Sequence, residues 1–114
     1  MVKHYSLDAV FHALAHPARR HILGKLAQGE SNLTDLVAPL KMSFPAASKH
    51  VKVLEKAKLV KRRVVGRDHL CRIEVKPLAT ANEYLEKFRT IWEGHFQRLD
   101  ALLDEMKSME KTKP

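Results

Sequence analysis

Residues 42–54 read MSFPAASKHVKVL, and few stretches of this length leave a chain so little choice. Ser43 is a favoured N-cap, and Pro45 fits the first helical turn, where its missing N–H costs nothing. On a helical wheel Ala47, Val51 and Leu54 fall within about 40° of one another, with Pro45, Lys49, Lys52 and Lys56 opposite. The spacing predicts a short helix with one narrow packing face and one basic face, the layout of a DNA recognition helix.

The charge pattern points the same way. Residues 41–76 hold eleven Lys and Arg against three acids and so carry the whole net charge of +8. Such a region implies a polyanionic partner, nucleic acid or an anionic membrane surface; the competing reading is a solvated face. A chain of 114 residues with 45% hydrophobic content supports one small domain with a real core. The single cysteine, Cys71, excludes an intrachain disulfide. With neither a secretory h-region nor an apolar run of spanning length, a soluble cytoplasmic protein without membrane insertion is expected.

Along the chain, Ser6 is expected to cap a first helix with Leu7, Val10, Phe11 and Leu14 on one face and a Tyr5–Val10 staple. His16-Pro17 restarts a second helix in which Ile22, Leu23 and Leu26 face inward, and Gly29 stops it. Asn32, with Asp35 three residues on, resembles a weak capping box for a third helix, Leu33–Leu40. A tight turn at Lys41-Met42 then leads into the recognition helix.

Val60–Val65, the turn Gly66-Arg67-Asp68 and His69–Val75 read as a β-hairpin, β-branched residues alternating with charge. Pro77 opens one long final helix. Its apolar positions Leu85, Phe88, Trp92, Leu99, Leu102, Met106 and Met109 step by three and four, broadened by Ile91, Phe96 and Leu103. Fraying is expected from about Ser108. The order is that of a winged helix-turn-helix: a mainly α chain with a β-hairpin wing and terminal dimerisation helices. It reads as one domain over 1–114, with the helix-turn-helix about 33–57, the wing about 60–75 and the last helix about 77–108.

Three segments carry a family resemblance: LAHPARRHIL from Leu14 to Leu23, PAASKHVKVL from Pro45 to Leu54, and LVKRR from Leu59 to Arg63. Over roughly residues 7–105 the chain resembles the ArsR-type (ArsR/SmtB) winged-helix transcriptional repressors, in a branch lacking their metal sites. The resemblance implies a homodimeric repressor that binds a pseudo-palindromic operator in double-stranded DNA and blocks transcription by occupying it. Two recognition helices must reach successive major grooves about 34 Å apart, which one small domain cannot do alone. Three positions depart from the pattern. Pro39 falls inside the expected third helix, where it cannot serve the carbonyl of Asp35. Lys41 stands where the family has a turn glycine, and Phe44 where it often has a polar base reader.

Ser43, Phe44, Pro45, Ser48, Lys49 and Lys52 are candidates for the major-groove surface. Ser48 suits a base edge or a phosphate, Lys49 a guanine and Lys52 a phosphate. Phe44 either contacts a thymine methyl group or packs under the helix N-terminus. His50 lies nearer the packing face, which favours packing or a phosphate over base reading. In the wing Arg62, Arg63, Arg67 and His69 are candidates for phosphate or minor-groove contacts, with Arg67 at the tip foremost; the alternative is an edge strand guarded by charge. Asn32 would bring backbone N–H groups to a phosphate or serve only as a cap. Dimerisation falls to Leu7, Phe11, Leu85, Phe88, Trp92, His95, Leu99, Leu102 and Met106; protonation of His95 would set like charges together at such a seam.

Neither family metal site is legible. The third helix has no Cys, the last helix has His95 alone, and His12 and His16 read as a surface residue and a cap. Cys71 reads as a small buried side chain. No cofactor is expected, and an enzyme is disfavoured for want of a phosphate-cradling Gly loop, paired carboxylates or a nucleophile triad. The alternatives are a metal- or thiol-responsive sensor with an unrecognised site and a protein–protein adaptor. An effector or anti-repressor partner, unidentified, is compatible with either repressor reading.

Overall fold

The computed structural model describes residues 6–111. The chain divides after Ala81 into two compact units, each taken by itself below.

Helix α1 (Leu7–Leu14) opens on Ser6, whose Oγ accepts from the Ala9 N–H at 3.2 Å. Helix α2 (Pro17–Leu26) opens on His16, whose Nδ1 accepts from the Ala18 N–H at 3.1 Å. Both caps stand where the sequence placed them, whereas Tyr5 of the expected staple lies outside the described residues. Pro17 ends α1, and the carbonyls this strands find guanidinium donors. Arg19 donates from Nε to Ala13 O and from Nη2 to His12 O, each at 2.8 Å, and Arg20 donates from Nη1 to Leu14 O at 2.8 Å.

The chain then forms β1 (Ser31–Asn32), α3 (Leu33–Val37), α4 (Phe44–Lys56), β2 (Val60–Val65) and β3 (Asp68–Ile73). The sheet is antiparallel with order β1-β3-β2, so the expected hairpin gains a third strand. Ser31 pairs with Cys71 and Asn32 with Leu70. Two residues are too few for a period-2 pattern, which is why β1 escaped the sequence. The hairpin closes with Val65 opposite Asp68, leaving Gly66-Arg67 as a two-residue loop, shorter than expected. Gly66 takes φ 62° at the first central position, as a type II′ turn requires.

Two expectations around α3 are corrected. The helix stops at Val37 rather than Leu40, so Pro39 lies beyond it; Lys25 Nζ donates to Asp35 O at 2.7 Å, serving the carbonyl that Pro39 cannot reach. Asn32 occupies the N-cap position without a side-chain cap. Its Nδ2 instead donates to Asp68 Oδ1 at 3.0 Å, tying α3 to the foot of the wing turn.

Helix α4 ends in a Schellman motif: Leu59 N–H donates to Leu54 O and Lys58 N–H to Glu55 O, both at 3.0 Å. Lys58 holds the left-handed position, φ 64°, where glycine is usual. Val10, Ile22, Leu26, Leu36, Val51, Leu54, Leu59 and Cys71 are fully buried between the helices and one face of the sheet. Each large apolar side chain buried there contributes roughly 1.5–3 kcal/mol.

The final helix is two helices, not one: α5 (Lys76–Glu86) and α6 (Arg89–Lys111). Pro77 and Ala81 of α5 are buried in the first unit. At Lys87-Phe88 the bonding tightens to three-residue steps, Lys87 N–H to Tyr84 O at 3.3 Å and Phe88 N–H to Leu85 O at 3.0 Å. The Tyr84 and Phe88 rings meet edge to face at 5.4 Å across this step, and Arg89 reaches both Glu86 and Glu93. The apolar spacing of three and four runs through the break, so periodicity alone reports a single helix.

Candidate nucleic-acid interface

Ser43 caps α4 as expected, its Oγ accepting from the Ala46 N–H at 3.3 Å, and Pro45 lies in the first turn. Ala47, Val51 and Leu54 are buried and dock α4 on α1, α2 and α3. The helix is thereby rolled so that Phe44, Pro45, Lys49, Lys52 and Lys56 face outward, with Ser48 half-buried at the edge. Lys49, Lys52, Lys56 and Arg67 make no ion pair or side-chain hydrogen bond with the described residues. Phe44 is 51% exposed, so its ring is not packed under the helix N-terminus.

Other basic candidates are engaged inside the fold. Arg62 donates from Nη2 to Glu55 Oε1 at 2.5 Å and lies 3.4 Å from His69 Nδ1 through Nη1; its side chain is only 19% exposed. This half-buried pair joins the last turn of α4 to β2 and β3, so Arg62 and His69 set the wing against the recognition helix. Arg63 pairs with Glu30 at 3.0 Å, and this partner holds the Glu30 carboxyl below its usual range and the guanidinium above its own. Arg67, on the hairpin loop, is the exposed wing cation left over.

His50 turns inward as well. Its Nδ1 lies 3.2 Å from Arg19 Nη1, and its ring stands 4.2 Å from that of His16. A guanidinium only donates, so Nδ1 must be the bare acceptor and the ring neutral. Burial lowers the His50 pKa from 6.5, and the His16 and Arg19 charges lower it further. The unfolded chain therefore takes up this proton first. The stability His50 contributes is present above about pH 6.5 and is lost as pH falls through the lower folded value. Melting temperature is expected to fall from pH 7.5 to pH 5, and to fall less in His50→Gln, which keeps an acceptor without a titration; equal slopes would refute the assignment.

Sequence reasoning missed Arg19, Glu55 and Glu30. Arg19 is 8% exposed, and its signal was the helix break at Pro17, which leaves carbonyls needing donors nearby. Glu55 stood out as the one acid between residues 41 and 67. Among the described residues no three His, Cys, Asp or Glu side chains are grouped to hold a metal ion, and burial pushes the Cys71 thiol above its usual range. No described helix is long and apolar enough to cross a membrane.

Comparison with known proteins agrees with this geometry. The model of the family "Bacterial regulatory protein, arsR family" matches residues 16–62, from the cap of α2 to the start of the wing. The HTH-type transcriptional regulator Rv2034 of Mycobacterium tuberculosis is 34% identical over 102 residues, 89% of this chain and 95% of that protein. The chain belongs to the ArsR family. It is thus a transcriptional regulator with a winged helix-turn-helix DNA-binding domain, in a family of regulators rather than enzymes. Among solved structures, ArsR family transcriptional regulator RHA00566 shares 33% identity at a TM-score of 0.71, covering 76% of this regulator and 96% of that chain. The homodimeric winged helix-turn-helix DNA-binding domain of Mb0332 from Mycobacterium bovis shares 25% identity at a TM-score of 0.56, covering 81% and 82%.

Proposed function

We propose that two copies of this ArsR-family regulator form a cytoplasmic repressor that binds a pseudo-palindromic operator and blocks transcription by occupying it. The carrying observation is the sorting of charge. Arg19, Arg62 and Arg63 are held by partners within the fold, while Lys49, Lys52 and Arg67 stand exposed and unpaired on α4 and the wing loop. An adaptor surface would have no use for such a division; a polyanion with a groove beside its backbone does.

In this reading Ser43, Phe44, Pro45, Ser48 and Lys49 meet base edges, Lys52 meets a phosphate and Arg67 reaches the minor groove or its phosphates. Asn32, His50, Arg62, Arg63 and His69 hold those elements in place. Leu85 of α5, Phe88 at the break and Trp92, Phe96, Leu99, Leu102 and Met106 of α6, each 38–62% exposed, supply the apolar seam of the dimer, with His95 of α6 and Leu7 and Phe11 of α1 as further candidates.

The test is binding to promoter DNA of the protein's own gene against random duplex at several salt concentrations, with Zn²⁺ and with EDTA. Promoter preference, a steep salt slope and no response to metal are expected; metal-dependent release would restore the sensor, and failure to bind DNA would overturn the reading. Within that assay Lys49→Ala is expected to relax one base position by about 1–3 kcal/mol. Arg67→Ala should instead weaken all sequences alike and lower the salt slope by about 1.

A further inference from the structure

The outward face of α4 carries cations and a hydroxyl except at its N-terminal end, where Phe44 is 51% exposed and Met42, two residues earlier, is 37% exposed. An aromatic ring left in water forgoes its burial free energy, so Phe44, with Met42 near it, offers apolar surface that gains from a contact made elsewhere. That contact has to tolerate the charges beside it. A second copy seated on Phe44 would bring its own Lys49 and Lys52 against the first pair, and like charges repel. The partner must be anionic overall and yet offer a small apolar group.

The major groove of DNA meets both conditions. Helix-turn-helix proteins present the N-terminal residues of the recognition helix to base edges, and the apolar group on those edges is the thymine 5-methyl. Ser48, one turn on from Phe44, offers a hydroxyl to the neighbouring polar edge. We propose that Phe44 is a specificity-determining residue that reads a thymine methyl group in each half-site. The inference rests on the operator-binding reading above and names what one residue of that surface recognises.

The experiment first selects tight-binding duplexes from random sequence with the full chain. It then replaces each thymine of the selected site by uracil, which removes the methyl and keeps the hydrogen-bonding edge. One thymine per half-site is expected to be sensitive, with a loss of about fourfold when replaced once and about sixteenfold when replaced in both half-sites, the value of one methyl-sized group. Phe44→Ala, a surface change that leaves the core intact, should bind the two duplexes alike, and Phe44→Leu should keep part of the difference. A clear selected site that is indifferent to every replacement overturns the role of Phe44 alone, as does a full penalty retained by Phe44→Ala. Selection that returns no preferred sequence overturns the operator reading together with it.

Discussion

Leu99→Glu combined with Leu102→Glu is expected to leave the regulator monomeric at concentrations where the proposed dimer of the unmodified protein forms. Its affinity for the operator should drop about a hundredfold or more. Both leucines are half exposed on α6, so the change removes nothing from the core of the first unit. In the proposed seam each carboxylate would be buried without a partner, a cost no such interface tolerates. The operator loss follows from linkage. Once one half-site is occupied, the second recognition helix binds at a high effective concentration, and a monomer forfeits that gain without losing any contact to DNA. Sedimentation equilibrium checks the first half and titration of operator against a single half-site the second. Unchanged circular dichroism shows that the helices persist. A double variant that still sediments as a dimer would move the seam elsewhere.

The second large effect is expected at Arg19. Its guanidinium serves His12 O and Ala13 O at the end of α1 and reaches His50 on α4, three elements held by one buried side chain. Truncation to alanine leaves buried acceptors unmet, each costing about 1–3 kcal/mol, so a loss of about 3 kcal/mol is expected. For a domain of this size that lowers the melting temperature by about 12–24 °C. Arg19→Lys should recover little, because one ammonium does not reproduce a forked pair of donors. Arg20→Ala is the internal comparison: its single exposed bond to Leu14 O should be worth under about 1 kcal/mol. If the two alanine variants melt together, Arg19 is not the pin that its geometry describes.

Local chemistry explains what was legible in advance. Ser6, His16 and Ser43 stand where local sequence predicts N-caps, and all three accept from a backbone N–H two or three residues on. A cap depends on a few adjacent residues, and so does the gap between Ala47, Val51 and Leu54 that predicted their burial. The same reasoning overran at α3, where Pro39 was expected inside the helix and instead lies past its end, and at Lys87-Phe88, where neither Gly nor Pro marks the break. Asn32 shows the limit clearly. Its position fits a cap, yet its amide goes to Asp68, thirty-six residues away, a partner no local pattern contains.

By itself the sequence determined the starts of α1, α2 and α4, the packing face of α4, the concentration of charge between residues 41 and 76 and the family to which the chain belongs. Those properties depend on short-range spacing and on composition. The tertiary structure decided which cations remain available. Arg62 and Arg67 are both wing candidates in sequence, but packing brings Glu55, in the last turn of α4, to 2.5 Å from Arg62, while the hairpin loop holds Arg67 out with no such neighbour among the described residues. An ion pair forms where two charges are brought within a few ångströms, and that distance is a property of the packed chain rather than of the residues.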